Sequence, residues 1–138
     1  MTTTLVDASF FVAVYNKREA AHLRCVEAYE ALDSRLVTCE ACIAEALHIL
    51  GHARAAVDAI FTAIDQRSLD VAFHLGSEVR EVAKLMRKYA DLPADFADAC
   101  LIHMADQFDT GEILTLDSHF KHYRWRRTRA FHLLIPLD

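Results

Sequence analysis

Two aspartates stand where strand-like segments end. Asp7 follows Leu5-Val6, and Asp117 follows the β-prone run 113–116. In an open parallel sheet, ligands bind beyond the carboxyl ends of the strands, so we expect both carboxylates at one edge of the molecule. An aspartate in such a position is also a common turn former or helix cap. For each aspartate taken alone, the functional and the structural interpretation both stay open.

Two further carboxylates lie in segments with helical spacing. The helical neighbours of Glu45 are Ala41, Cys42, His48 and Ile49, which form a mostly apolar stripe. Burying an ionised carboxylate without compensation is costly, so a buried Glu45 is expected to become neutral, form a pair or bind a metal.

Asp98 presents a similar anomaly. Its helical neighbours include the apolar Leu101 and Ile102, and Asp95 lies one turn before it. Like charges at i and i+3 repel by about a few tenths of a kcal/mol in water and by more when desolvated. A nearby cation would relieve this repulsion. Asp95 alone is equally well explained by its place near a helix start, where acids are favoured.

The donor types indicate which metal and which reaction to expect. Carboxylate oxygens suit Mg²⁺ or Mn²⁺, whereas zinc prefers His and Cys. Such ions bind phosphate oxygens, activate water and stabilise a leaving oxygen, so phosphodiester hydrolysis is the natural candidate. The sequence contains no GxxxxGK[ST] loop, no GxGxxG after the first strand and no GxSxG elbow. It therefore gives no support to an NTPase, a dinucleotide enzyme or a serine hydrolase.

Length and composition predict a single globular domain over residues 1–138. Apolar residues make up 54% of the chain and charged residues 25%, and there are only 3 Gly and 2 Pro, which argues against disorder. Carboxylates interrupt every apolar stretch before it reaches membrane-spanning length. The first residues show no signal-peptide pattern, so we expect a cytoplasmic location and no membrane association.

The chain has four cysteines, and Cys39 and Cys42 form a CxxC pair. Such a pair occurs in redox dithiols and in zinc sites. The sequence has no second CxxC and no further redox motif around Cys39, and buried cytosolic cysteines commonly act as small hydrophobic residues. The latter interpretation is the expected one.

A basic segment stands out against the net charge of −5, which by itself is not typical of a nucleic-acid binder. Segment 121–129 contains no acid, and Tyr123 and Trp125 lie among its cations. It is either an RNA-phosphate-binding surface or a solvated loop. The cations are Lys121, Arg124, Arg126, Arg127 and Arg129.

Strands and helices are expected to alternate along the chain. Strands are predicted at 3–6, 36–38, 69–73, 112–117 and 131–135. Helices are predicted at 18–32, 39–50, 53–66 and 77–89, with a short helix capped by Ser9 and a last one that starts at Pro93 and stops before Gly111. This order predicts an α/β domain with a mainly parallel sheet.

Four segments carry a resemblance to a known family: LVDAS at 5–9, AEAL at 44–47, DFADA at 95–99 and LTLD at 114–117. In this order they resemble the PIN-domain family, and most of all its stand-alone VapC-type toxin ribonucleases. The resemblance implies a three-layer α/β/α sandwich with about five parallel strands and Mg²⁺- or Mn²⁺-dependent endoribonuclease activity. It also implies a homodimer that acts on RNA and is neutralised by a small antitoxin protein.

The resemblance also implies roles for individual residues. The catalytic, metal-binding quartet corresponds to Asp7, Glu45, Asp98 and Asp117. Ser9 and Thr115 match the supporting polar residues beside the first and last acids, and Asp95 matches a frequent extra acid. Whether Asp95 or Asp98 contacts the metal more directly stays open.

Three alternatives remain beside a toxin ribonuclease. Family membership does not separate a toxin from a housekeeping nuclease that processes RNA. A non-catalytic, receiver-like signalling module also gathers aspartates around Mg²⁺, but Lys121 follows Asp117 too closely for that pattern and Glu45 would have no role. A Mg²⁺-dependent phosphatase for small molecules would leave the basic segment unexplained.

Overall fold

A five-stranded parallel sheet forms the centre of the protein. The computed structural model describes residues 2–92 and 94–137. The strands of the sheet are β1 (Thr2–Val6), β2 (Ser34–Thr38), β3 (Asp70–Val71), β4 (Glu112–Leu114) and β7 (His132–Leu133), and a separate antiparallel pair consists of β5 (Arg124–Trp125) and β6 (Arg129–Ala130). The strand order is β3-β2-β1-β4-β7, and every neighbouring pair is parallel.

Helices flank the sheet, which confirms the expected α/β/α class. They are α1 (Ala8–Tyr15), α2 (His22–Ala31), α3 (Glu40–Leu50), α4 (Arg54–Asp65), α5 (Leu75–Lys88) and α6 (Phe96–Phe108), and a 3-10 helix covers Ser118–Lys121. In the described part of the chain, no helix has the combined length and apolar character needed to cross a membrane.

The central pair of strands owes its position to apolar sequence. Leu5 pairs with Ile113 and Val6 with Leu114, and all four side chains have no exposed surface. A strand covered on both faces must be apolar throughout, as these two are. Because β1 and β4 are parallel neighbours, the residues that follow them leave the sheet at the same edge.

The short helix α1 begins differently from the prediction. Ser9 was expected to cap it, but the cap is Asp7, whose side chain accepts from the backbone N–H of Ala8. Asp7 keeps the extended backbone of the strand end, the conformation that a helix cap requires. Ser9 lies inside the first turn, where its hydroxyl accepts instead from the backbone N–H of Leu116.

Several boundaries also differ from the predicted ones. The helix expected at 18–32 begins only at His22, because a turn precedes it. The strand expected at 69–73 has only two residues in the sheet. Pro93, expected in the first turn of α6, lies outside the described residues.

Helix α6 is the most deeply buried helix that carries a predicted site residue. Its residues 97–105 are all buried, and it packs against α5, α3 and β1. Asp98 lies at the start of this buried stretch and retains only 6% of its surface exposed. The packing of the whole helix therefore controls how much solvent reaches this carboxylate.

Candidate functional site

The predicted acids line one cleft at the carboxyl ends of β1 and β4. Its volume is about 540 Å³. We call it the acidic cleft; its polar lining consists of Asp7, Ser9, Glu19, Glu45, Asp95, Asp98, Asp117 and His119. The fold thus brings together all four members of the predicted quartet, and the extra acid Asp95 with them.

Asp7 lies at the base of this site and is only 6% exposed. Its Oδ1 accepts from the N–H of Ala8 at 2.8 Å, and its Oδ2 accepts from the hydroxyls of Ser9 at 3.0 Å and Thr115 at 2.7 Å. Burial raises the pKa of Asp7, and the charge of the nearby Asp117 raises it further. The three hydrogen-bond donors lower this pKa but do not cancel the effect of burial. The carboxylate is held in place, and ionising it is costly.

Thr115 connects the ends of the two central strands. Its hydroxyl donates to Asp7 and accepts from the backbone N–H of Asp117 at 3.0 Å. The Asp7 N–H in turn donates to the carbonyl of Leu114 at 3.1 Å. Together with the Ser9 hydroxyl, 3.3 Å from that of Thr115, these contacts fix the spacing between the first and last acids.

Asp95 and Asp98 form a reciprocal cap at the start of α6. The N–H of Asp98 donates to Asp95 at 2.9 Å, and the N–H of Asp95 donates to Asp98 Oδ2 at 3.3 Å. The buried Tyr123 hydroxyl donates to the same Oδ2 at 3.4 Å. Burial raises the pKa of Asp98 to about 8, and the charges of Asp95 and Asp7 contribute. Both acids therefore have a structural role in addition to their place in the cleft.

Asp117 is the most open of the three aspartates predicted in the quartet, with 30% of its side chain exposed. Its Oδ1 accepts from the backbone N–H of His119 at 2.9 Å and lies 2.7 Å from His119 Nδ1. These contacts cap the 3-10 helix and hold the His119 ring at the rim of the cleft. Sequence reasoning missed His119; its position two residues after a strand-end aspartate was the available signal.

The expected burial of Glu45 is wrong. Glu45 is exposed, and so is Ile49, with 59% of its surface accessible. Helix α3 turns Cys42, Ile43 and other residues toward the core and Glu45 toward the acidic cleft. Partial burial is the main cause that raises the pKa of Glu45, and the charges of Asp95 and Asp7 raise it further. Glu45 does line the cleft, but the burial that made it a candidate in the sequence is absent.

The donor chemistry of the cleft fits Mg²⁺ or Mn²⁺. The ligands offered are carboxylate oxygens, and burial, followed by the charges of the neighbouring acids, raises the pKa of Asp7, Glu45 and Asp98. A divalent cation would offset that repulsion. Within residues 2–92 and 94–137, no three His, Cys, Asp or Glu side chains are already gathered at metal-binding distance. The arrangement is an open cleft with the right donors.

The predicted cations lie elsewhere. Arg124, Arg126 and Arg127 line a second groove of about 330 Å³ together with Lys84 and Lys88, which we call the basic groove. Arg126 is paired with Asp109 at 2.6 Å, and both Arg126 and Arg129 stack on Trp125. Arg127 and Lys121 are exposed.

The parallel sheet lies between helices, and the carboxylates lie together beyond its central strands. These two features define the class of the protein as an α/β domain with an acidic cleft. Within this class, the family model of the PIN domain matches residues 4–126. The chain belongs to the PIN-domain family.

Two similar proteins come from Mycobacterium tuberculosis. Ribonuclease VapC26 of strain H37Rv is 29% identical over 124 residues, which cover 87% of this chain and 91% of that protein. The crystal structure of VapC20, described as a Sarcin-Ricin loop cleaving toxin, superimposes with a TM-score of 0.78 at 19% identity. That match covers 91% of this chain and 98% of the VapC20 chain, and it shows the shared fold.

Proposed function

We propose that this protein is an endoribonuclease that depends on Mg²⁺ or Mn²⁺. The observation that carries the proposal is the gathering of Asp7, Glu45, Asp98 and Asp117 in one cleft at the carboxyl ends of the two central strands. Membership of the PIN-domain family and the similarity to ribonuclease VapC26 support the nuclease assignment and the choice of RNA.

In this proposal the quartet holds the metal, and the residues around it keep the carboxylates in position. A bound divalent ion supplies an activated water and neutralises charge on the scissile phosphate. Ser9 and Thr115 orient Asp7 through the Oδ2 that they share. Tyr123 and the Asp95 cap hold Asp98. Asp95 lines the same cleft and supports Asp98 by accepting from its backbone N–H.

The basic groove is proposed to bind the RNA backbone away from the cut. Asp98 lines the acidic cleft and Asp106 lines the basic groove, eight residues further along α6. At 1.5 Å per residue, these two residues are about 12 Å apart along the helix axis. This distance is short enough for one RNA strand to contact both sites. The proposed phosphate contacts are Arg124, Arg126 and Arg127 in the groove and, outside its lining, Lys121 and Arg129.

We further propose that the nuclease is the toxin of a toxin-antitoxin pair, acting in the cytoplasm as a homodimer and neutralised by a small antitoxin protein. The similarity to VapC26 over most of both chains supports this assignment. Induced expression is expected to arrest growth, and an adjacent short gene for a DNA-binding protein is expected to relieve the arrest. Unimpaired growth together with processing of a stable RNA precursor would instead favour a housekeeping nuclease.

The decisive test is cleavage of structured RNA in Mn²⁺, in Mg²⁺ and in EDTA. Wild-type protein should cut in either metal and not in EDTA, and it should leave a 2′-deoxy strand of the same sequence and a generic phosphomonoester intact. Asp7→Asn and Asp98→Asn should each lower the rate on the order of a hundredfold or more, because even outer residues of metal sites cost 10- to 100-fold. Asp58→Asn is the matched control, since Asp58 is a surface aspartate on α4 with 66% of its side chain exposed. Wild-type rates in both site variants would reject the proposal.

A further inference from the structure

Three of the four cysteines meet at the start of α3. Cys39 follows β2 directly and is the cap residue of the helix, and Cys42 lies in its first turn. Their sulfurs are 3.5 Å apart. Cys100, on the neighbouring α6, lines the same cavity as Cys39. Cys25, also fully buried, serves as an isolated reference thiol.

A small cavity leads to this cluster. Its volume is about 220 Å³, and its lining includes Cys39 and Cys100 together with the aromatic rings of Phe73 and Phe96. Phe96 and Leu75 at the same cavity are 40% and 38% exposed, whereas Cys39 is only 1% exposed. A molecule of a few atoms can approach the Cys39 sulfur from this side, but a large reagent cannot.

The surroundings favour the thiolate at Cys39 over its neighbours. Hydrogen bonds from Cys100 and Cys42 hold the pKa of the Cys39 thiol well below its ordinary value, and backbone N–H groups of the first turn of α3 add to the effect. The hydrogen bond that Cys42 shares with Cys39 raises the pKa of the Cys42 thiol, and burial raises it further. Cys39 is thus the more nucleophilic sulfur, and the protonated thiol of Cys42 lies beside it.

We propose that Cys39 and Cys42 form a dithiol that small hydroperoxides oxidise to a disulfide, with Cys39 as the sulfur that reacts with the hydroperoxide and Cys42 as the resolving thiol. The proposal is independent of the nuclease assignment. A zinc site is not proposed, because no group of three candidate ligands at metal-binding distance occurs among the residues that the structure describes.

The chemistry takes place in two balanced steps. The Cys39 thiolate attacks one oxygen of the hydroperoxide, the O–O bond breaks, and the alcohol or water leaves after taking a proton; Cys39 becomes a sulfenic acid. The Cys42 sulfur then attacks the Cys39 sulfur, an S–S bond forms, and the hydroxide that leaves takes the Cys42 proton and departs as water. Two thiols are oxidised, and one hydroperoxide is reduced.

The test treats the purified wild-type protein with an equimolar amount of hydrogen peroxide in EDTA at neutral pH, followed by acid quenching and non-reducing peptide mapping. We expect a Cys39–Cys42 disulfide while Cys25 stays a free thiol, with loss of the Cys39 thiol about tenfold faster than that of Cys25 or more. Equal oxidation of Cys25, a bridge to Cys100 in place of Cys42, or no bridge in the folded protein would overturn the proposal.

Three variants separate the two roles. Cys42→Ser should stop at the sulfenic acid of Cys39, which dimedone labels once the oxidised protein is unfolded in urea and the Cys39 sulfur is accessible. Cys39→Ser should form no disulfide and no dimedone adduct, whereas Cys25→Ser, the matched control, should react as the wild type does. A bridge or adduct in Cys39→Ser would overturn the assignment of Cys39. The wild-type map gives a result even if a variant folds poorly.

Discussion

At the scale of single residues, three of the four acids of the predicted quartet both cap a helix and line the acidic cleft. Asp7 caps α1, Asp117 caps the 3-10 helix, and Asp98 completes the cap at the start of α6. The structural and functional interpretations of a strand-end aspartate are therefore not exclusive. A carboxylate that is fixed by backbone N–H groups has its direction set before any ligand arrives, and that is what a metal site needs.

Thr115 offers a prediction at this scale. Thr115→Val removes the hydroxyl that donates to Asp7 and accepts from the Asp117 N–H. RNA cleavage should fall about 10- to 100-fold, as it does for residues that orient metal ligands. Urea unfolding should show a loss of about 1–3 kcal/mol, because a buried carboxylate loses a donor.

Thr110 provides the matched control for this change. It is also buried, donates to the Thr3 carbonyl at 2.8 Å and accepts from the Glu112 N–H, but it precedes β4 and lies at the other end of that strand. Thr110→Val should reduce stability by a similar amount and leave the cleavage rate unchanged per folded molecule. Equal loss of activity in both variants would show that Thr115 acts through stability alone.

At the scale of elements, the β5–β6 hairpin depends on a glycine between α6 and β4. The Trp125 ring lies over Gly111, and its indole N–H donates to the Ala130 carbonyl at 3.2 Å. Arg126 and Arg127 in the turn have left-handed backbones, with φ of 44° and 69°. Few side chains adopt this conformation at low cost, so the contacts around the hairpin must hold it.

Gly111→Ala should therefore displace the hairpin. The new methyl group would overlap the Trp125 indole, and overpacking of this kind costs about 1–3 kcal/mol. Thermal melting should move down by several degrees, with a change in Trp125 fluorescence. Gly76→Ala in the first turn of α5 is the control, because its methyl group would meet only the side chain of exposed His74. An unchanged Trp125 spectrum in Gly111→Ala would contradict this account of the hairpin.

The basic groove leads to a prediction about salt. If Arg127 contacts an RNA phosphate, Arg127→Ala should weaken binding of single-stranded RNA and reduce the slope of log affinity against log salt by about 0.7. Binding can be measured by fluorescence anisotropy in EDTA, where no cleavage is expected. Arg54→Ala, at a residue of α4 with 91% of its side chain exposed, should leave the slope unchanged. The same slope in both variants would place the RNA elsewhere.

At the scale of the whole molecule, the crowded acids link stability to pH. The pKa values of Asp7, Glu45 and Asp98 are all raised in the folded protein, that of Asp98 to about 8. Between pH 4 and pH 8 the folded state therefore binds more protons than the unfolded state. The stabilisation from these groups is complete below their unfolded pKa values and is lost as pH rises through the folded ones.

In EDTA the melting temperature should accordingly be lower at pH 8 than at pH 5.5, by roughly 4 °C for each kcal/mol lost. Asp98→Asn should flatten the upper part of this dependence, because the amide cannot ionise. Millimolar Mn²⁺ should raise the wild-type melting temperature at pH 8 and have less effect in the variant. A wild-type melting temperature that rises toward pH 8 in EDTA would contradict the electrostatic account of the cleft.

The sequence was sufficient for the properties that depend on local pattern. Alternating apolar strands and amphipathic helices predicted the α/β class, and both class and family are confirmed. The sequence also identified four carboxylates, and the fold brings all of them to the acidic cleft. They are Asp7, Glu45, Asp98 and Asp117. Their roles in metal binding and the single-domain organisation over 1–138 stay predictions.

Only the tertiary structure decided properties that depend on contacts between distant segments. It exposed Glu45, placed His119 in the cleft and directed three of the four arginines of segment 121–129 into a separate groove. It also placed Cys100 and Cys39 at one cavity, whereas the sequence left them as separate small hydrophobic residues. The physical reason is that periodicity fixes which face of a helix is apolar, whereas the exposure and partners of a side chain depend on how the elements pack.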